Sequence, residues 1–206
     1  MTLWTAVARL AFRAISNSLG IETAIVHVYR RLTMFSLETD RLTIRPWEPS
    51  DRRAFTALTL DAEVMQYVHR GLPYSEEEAD EWFARQARVL AEHGFCMGAM
   101  IENASGRLIG IAGMQPLGTT GELEIGWWLA RDVWGRGYAT EAGRAAMCHV
   151  LEIIGRSRVV AIIHPDNEPS KRVASRLGMQ YEARYTGTQL GHRKPEIVVD
   201  LYFRER

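Results

Sequence analysis

"EIGWWLARDVWGRGYATEA", Glu124–Ala142, holds the stretch that decides the fold. An apolar, strand-like run passes through two glycines that bracket an arginine, and a helix-like run follows. The first N–H groups of a helix lack internal partners, and that end carries partial positive charge. A strand leading through a glycine loop into a helix therefore makes an anion site. Gly135 and Gly137 have no Cβ, so they admit positive φ and a close approach of backbone to a phosphate. Arg131 and Arg136 add charge. Two familiar phosphate loops do not fit. A Walker A loop needs lysine followed by Ser or Thr where Tyr138 and Ala139 stand. A Rossmann fingerprint needs Gly or Ala where Thr140 stands, and it opens a parallel series.

The flanking chain excludes that series. "FCMGAMIE", Phe95–Glu102, and "RLIGIAGMQPL", Arg107–Leu117, read as strands joined by a tight turn at "NASG". "ELEIGWWLA", Glu122–Ala130, makes a third, so an antiparallel meander leads into the glycine loop. Behind the loop, a helix is expected from about Tyr138 to Ile154, stopped by Gly155. "SRVVAIIH", Ser157–His164, is apolar enough for a strand buried on both faces. A shorter helix over Asn167–Gly178 follows, then strands near Gln180–Leu190 and Glu196–Phe203. Ahead of the meander, "RLTIRPW", Arg41–Trp47, alternates as a first strand. Ser50 can cap a helix through Asp51–Leu60, and a short helix is expected over Ala62–Val68. In Tyr74–Gly94, Ser75 and Glu78 form a capping box and Gly94 stands at the C-terminal end. The order is β-α-α-α-β-β-β-α-β-α-β-β.

Composition narrows the function. The 206 residues carry 25 Lys+Arg against 25 Asp+Glu, so no basic excess points to nucleic acid. No apolar run approaches the ~20 residues of a membrane span, and a cytoplasmic location is expected. Two cysteines, Cys96 and Cys148, make no disulfide framework and are expected to be buried thiols. No histidine–cysteine or paired-carboxylate spacing suggests a metal. Residues 1–33 stand apart: Leu3, Val7, Leu10 and Ala14 repeat at helical spacing with Arg9 and Arg13 between them. An accessory amphipathic helix is expected there, with the main domain over 34–206.

The Glu124–Ala142 stretch, "PDNEPSKRVASRLGM" after it and "LETDRLTIRPW" (Leu37–Trp47) before it resemble the GCN5-related N-acetyltransferase (GNAT) superfamily. The likeness is to its branch of ribosomal-protein N-terminal acetyltransferases, and it covers roughly Phe35 to Phe203. It implies an α/β (α+β mixed) fold: a mostly antiparallel sheet with one splayed parallel strand pair and helices on both faces. It also implies an acetyl-CoA-dependent N-acetyltransferase that moves an acetyl group to a primary amine by direct attack, through a tetrahedral intermediate. The acceptor would be a protein N-terminal amine or a small amine such as an antibiotic, with the enzyme a monomer or homodimer. A non-catalytic acyl-CoA-binding module or sensor is the alternative.

The family pattern Gln/Arg-x-x-Gly-x-Gly/Ala falls on Trp134, Gly135, Arg136, Gly137, Tyr138 and Ala139, with Trp134 departing from it. Thr140 would offer a hydroxyl to the phosphate. Trp127, Trp128 and Leu129 would pair with the pantetheine arm as an added strand does, which requires their strand to splay from Arg158–His164. Asn167 and Ser170 match the family's Asn-x-x-Ser. Ala174 stands where many relatives carry a tyrosine acid, so Ser170 is the candidate for thiol contact or proton supply. Asn167 also fits a helix N-cap. Glu124 matches the family's "EIG" glutamate and is the candidate general base; Glu122 shares its face by alternation and is the reserve. His164 faces the acceptor or merely ends a strand. Trp47, Tyr67 and His192 are expected near the acceptor.

Overall fold

The computed structural model describes residues 35–206 except His69 and Arg70. The amphipathic helix expected over residues 1–33 lies outside the described residues. Among the described residues, eight strands form one sheet in the order β1-β2-β3-β4-β5-β6-β8-β7. They are β1 (Leu37–Glu38), β2 (Leu42–Arg45), β3 (Met97–Glu102), β4 (Leu108–Pro116), β5 (Leu123–Leu129), β6 (Arg158–Ile163), β7 (Gln180–Thr186) and β8 (Val198–Glu205). Five α-helices lie among the described residues: α1 (Arg52–Leu60), α2 (Ala62–Met65), α3 (Glu76–His93), α4 (Tyr138–Cys148) and α5 (Glu168–Arg176). Every strand pair is antiparallel except β5 with β6.

The expected order holds with one addition, because a two-residue β1 pairs with β2 through Leu37↔Ile44. Two local expectations are corrected. Ser50 caps no helix; Pro49–Asp51 form a 3-10 turn, and Asp51 occupies the N-cap of α1. The buried Asp51 carboxylate accepts from Arg45 Nη1 at 2.7 Å and from the Glu48 N–H at 2.8 Å, so it locks the corner after β2. The helix expected to reach Ile154 stops at Cys148 and continues as a wider π turn over His149–Ile153. In α3 the capping box forms as expected, and Gly94 ends the helix at φ 80°.

Alternation along β5 sorts the two faces. Ile125 and Leu129 join Val133, Tyr138, Ala142 and Ala146 in the larger core under α4. Trp128 turns the other way and packs with Phe55, Ala79 and Trp82 of α1 and α3. Glu124 shares the parity of Trp128 and so belongs to the α1–α3 face. Gly143 sets how closely α4 sits on the sheet: a Cβ there would stand 2.8 Å from Leu177 Cδ1 and 3.2 Å from the Trp127 ring. The spacing of the elements around β5 therefore depends on that missing atom.

Candidate active site

The parallel pair β5–β6 meets at one register position, Glu124↔Val160. Beyond it the strands diverge. The edge of β5 over Trp127–Leu129 is hydrogen-bonded to β4 on one side and open to a cleft of about 1360 Å³ on the other. All twelve residues that sequence assigned to the cofactor line this cleft: Trp127–Leu129, Trp134–Thr140, Asn167 and Ser170. They come from three elements separated in sequence, brought together because β5 feeds α4 at the cleft's lower end and β6 feeds α5 beside it.

The loop has the geometry of an anion cradle. Gly135 and Gly137 adopt φ 76° and 83°, the left-handed region that favours glycine. Gly137 is the N-cap of α4, and among the described residues no side chain caps that helix end. Its first N–H groups are therefore left for another acceptor. Among the described residues, no atom beyond its two chain neighbours lies within 4 Å of where a Cβ on Gly135 would sit. Trp134, in place of the family's Gln or Arg, turns its indole N–H back to the Leu129 carbonyl at 2.9 Å and stays 47% exposed. It pins the loop to the end of β5.

A brace from the β1–β2 turn holds this loop. Arg41 Nη1 donates to the Arg136 carbonyl at 3.0 Å, and its Nε donates to Glu141 at 2.7 Å. Its guanidinium also lies 4.5 Å from the centre of the Tyr138 ring. Thr39 Oγ1 and the Arg41 N–H complete the shell around Glu141, at 2.6 and 3.1 Å. Burial opposes ionisation of Glu141, but those bonds outweigh it and hold its pKa below the usual value. Sequence reading missed this brace, and also Arg144, Arg172 and Arg176, which line the cleft beside Arg136. The i,i+4 spacing of Arg172 and Arg176 was the available signal for a shared helix face. Arg131 adds nothing to the cradle, because it turns to Asp61 at 3.6 Å and to Glu63.

Glu124 stands at the apex where β5 and β6 part, and it is 7% exposed. A hydrogen-bonded chain positions it: the Met97 N–H donates to Gln86 at 2.9 Å, Gln86 to Gln115 at 3.2 Å, and Gln115 to Glu124 Oε1. Its Oε2 is buried without a partner among the described residues. Burial pushes its pKa up to about 7, against the pull of Gln115, Arg193 and Arg85. Glu122 is occupied by Arg158, whose Nε lies 3.2 Å away in an ion pair too poorly aligned for a hydrogen bond.

On the far side of the cleft, Asn167 caps α5 by accepting from the Ser170 N–H at 3.1 Å, which leaves its amide N–H₂ and the Ser170 hydroxyl beside the cleft. His164 follows β6 directly and is exposed, and its ring centre lies 5.2 Å from that of Tyr67 with the planes tilted by 33°. Trp47 is a core residue that packs on Phe55, Trp82 and Phe83 and donates to the Met97 carbonyl. Cys96 is buried as expected, and burial pushes its thiol up to about 12. Cys148 is only half-buried and lines the cleft, which corrects the expectation of two buried thiols. No metal-binding group of His, Cys, Asp and Glu occurs among the described residues, and no described helix is long and apolar enough to cross a membrane.

A diverging parallel pair, a glycine loop and a helix end without a side-chain cap occur here in the order that the family likeness implied. The profile of the GNAT acetyltransferase domain matches residues 41–180. The chain belongs to the GNAT acetyltransferase family. Among its relatives, an uncharacterized N-acetyltransferase of Bacillus subtilis, YnaD, is 30% identical over 146 residues, 71% of this chain and 83% of the relative. The acetyltransferase of Agrobacterium tumefaciens superposes with a TM-score of 0.70 at 26% identity, covering 83% of this chain and 94% of that one. A RimL ribosomal L7/L12 α-N-protein acetyltransferase, solved in complex with coenzyme A, shares the fold with a TM-score of 0.66 at 20% identity. It covers 82% of this GNAT chain and 97% of its own. The protein is thus an N-acetyltransferase of GNAT type, with the mixed sheet and single parallel pair that the sequence implied.

Proposed function

We propose that the β5–β6 cleft binds acetyl-CoA and that this GNAT enzyme acetylates a primary amine presented to Glu124. The observation that carries this is the single bridge at Glu124↔Val160, which opens the β5 edge directly above the glycine loop. The residues fit the cofactor: an uncapped helix end and positive-φ glycines suit a pyrophosphate, and the open strand edge suits the amides of a pantetheine arm. Residues 135–140 would hold the pyrophosphate, and Trp127–Leu129 and Asn167 the arm. Acetyl-CoA supplies the acetyl thioester, an acyl donor that an amine attacks directly.

Glu124 has the chemistry of a general base. At pH 7 an alkylammonium of pKa ~10.4 costs about 4–5 kcal/mol to deprotonate, whereas an α-amine costs about 1. A carboxylate poised near neutrality can take that proton, worth about 10²–10⁴ in rate. Ser170 offers its hydroxyl proton near the departing thiol, where a group of pKa ~8.5 needs little help. Free thiol release from acetyl-CoA with a panel of amines tests this reading. Release that depends on the amine supports the enzyme; tight cofactor binding with no release from any amine would identify an acyl-CoA sensor instead.

A further inference from the structure

Three buried side-chain atoms lack hydrogen-bond partners among the described residues: Arg158 Nε, which lies against Glu122, and two others, the acceptor Oε2 of Glu124 and the donor Nε of Arg85. The charge of each of these two residues acts on the other, yet they are not bonded together. Arg85 precedes Gln86 on α3, and its guanidinium lies 5.9 Å from the centre of the Trp82 ring, in the cluster that packs under Trp128 on the face of β5 that carries Glu124. Arg193 arrives from the loop between β7 and β8, hydrogen-bonds Tyr74, and adds a second positive charge facing Arg85 and Glu124. That loop is itself held against the β4–β5 turn by the Thr119 N–H to the Leu190 carbonyl, at 3.2 Å. Burial and the neighbouring Arg193 push Arg85 down to about 10, so it stays a cation at pH 7 in a place where its charge is poorly compensated. His192, pushed down by burial, brings no further charge at that pH.

A single ligand can complete both orphaned atoms only if it presents a donor to Glu124 and an acceptor to Arg85. We infer that the acceptor is a primary amine bearing an anionic group nearby, the zwitterion of an α-amino acid or its like, with its amine at Glu124 and its anion on Arg85 and Arg193. This rests on the reading of Glu124 as the residue that meets the amine. An arginine fork binds a carboxylate through paired, charge-assisted bonds, which a neutral analogue cannot replace.

The test compares matched acceptors at saturating acetyl-CoA: free amino acids against their amides and decarboxylated amines, and peptides beginning with an acidic residue against neutral ones. The amino acid and the acidic peptide distinguish a small from a polypeptide source of the same charges. Anionic acceptors are expected to show kcat/KM at least about tenfold above their neutral partners. Arg85→Met and Arg193→Gln should each erase that margin by raising the acceptor KM, with the KM for acetyl-CoA unchanged. Equal or better use of the neutral partners would overturn the inference while leaving the acetyltransferase reading intact. If no acceptor releases thiol, calorimetry with the amino acids in the presence of coenzyme A decides separately. Binding that Arg193→Gln abolishes upholds the anion site, and no binding overturns it.

Discussion

Glu124→Gln separates a base from a buried polar residue, because the two roles give different pH profiles. With a pKa of about 7, the Glu124 carboxylate falls from about nine-tenths ionised at pH 8 to about a tenth at pH 6. If it takes the proton from a bound alkylammonium, kcat/KM should climb to an inflection near pH 7 and then stay level until the amine itself titrates near ~10. The substituted amide accepts no proton, so the variant depends on amine that is already neutral. Its kcat/KM should climb about tenfold per pH unit through pH 9, with no inflection at 7. At pH 7 the loss should be about 10²–10⁴ for an alkylamine and smaller for an α-amine of pKa ~8. Thiol release followed from about pH 5.5 to about pH 9, a span set by the amine and carboxyl pKa values, reads both effects. A variant that keeps the plateau and the inflection near 7 would refute Glu124 as the base.

Two further outcomes follow from the same geometry. Gly137→Ala places a Cβ only 3.6 Å from Arg41 Nη2, an ordinary contact, so the cost lies in φ 83°, about 1–2 kcal/mol. The variant should melt lower and bind coenzyme A severalfold more weakly by calorimetry; unchanged affinity would remove Gly137 from the cradle. Glu124 also links stability to pH. Its folded pKa is raised from 4.5 to about 7, so its contribution is complete below about 4.5 and lost as pH rises through 7. Glu124→Gln is free of that loss, and the gap in unfolding free energy between variant and wild type should move toward the variant by up to about 3 kcal/mol from pH 5 to pH 8. A gap that does not change with pH in denaturant titrations contradicts the raised pKa.

What the sequence disclosed was local. The passage from β5 through Gly135 and Gly137 into α4 lies within nineteen consecutive residues, Glu124–Ala142, and each part has its own signature. The splay of β5 from β6 was inferred through family likeness, and the single bridge at Glu124↔Val160 bears it out. Contacts that depend on register or on distant packing were hidden. Gln115 faces Glu124 only because β4 pairs with β5 in that register. The Arg41–Glu141 brace joins residues a hundred positions apart. Arg85 and Arg193 come within range of each other's charge only once α3 and the β7–β8 loop have converged, and no spacing in the chain announces it. Trp47 looked like a ligand contact because an aromatic at a strand end fits either role, and the cluster with Phe55 and Trp82 decides for the core.

Hydrogen–deuterium exchange with and without coenzyme A bears most directly on the cleft. Ligand should slow exchange at the amides of the glycine loop and first turn of α4, residues 135–140, and along the β5 edge at Trp127–Leu129. Binding that leaves both segments unprotected, or protects a different part of the sheet, would contradict the placement of the cofactor in the β5–β6 cleft.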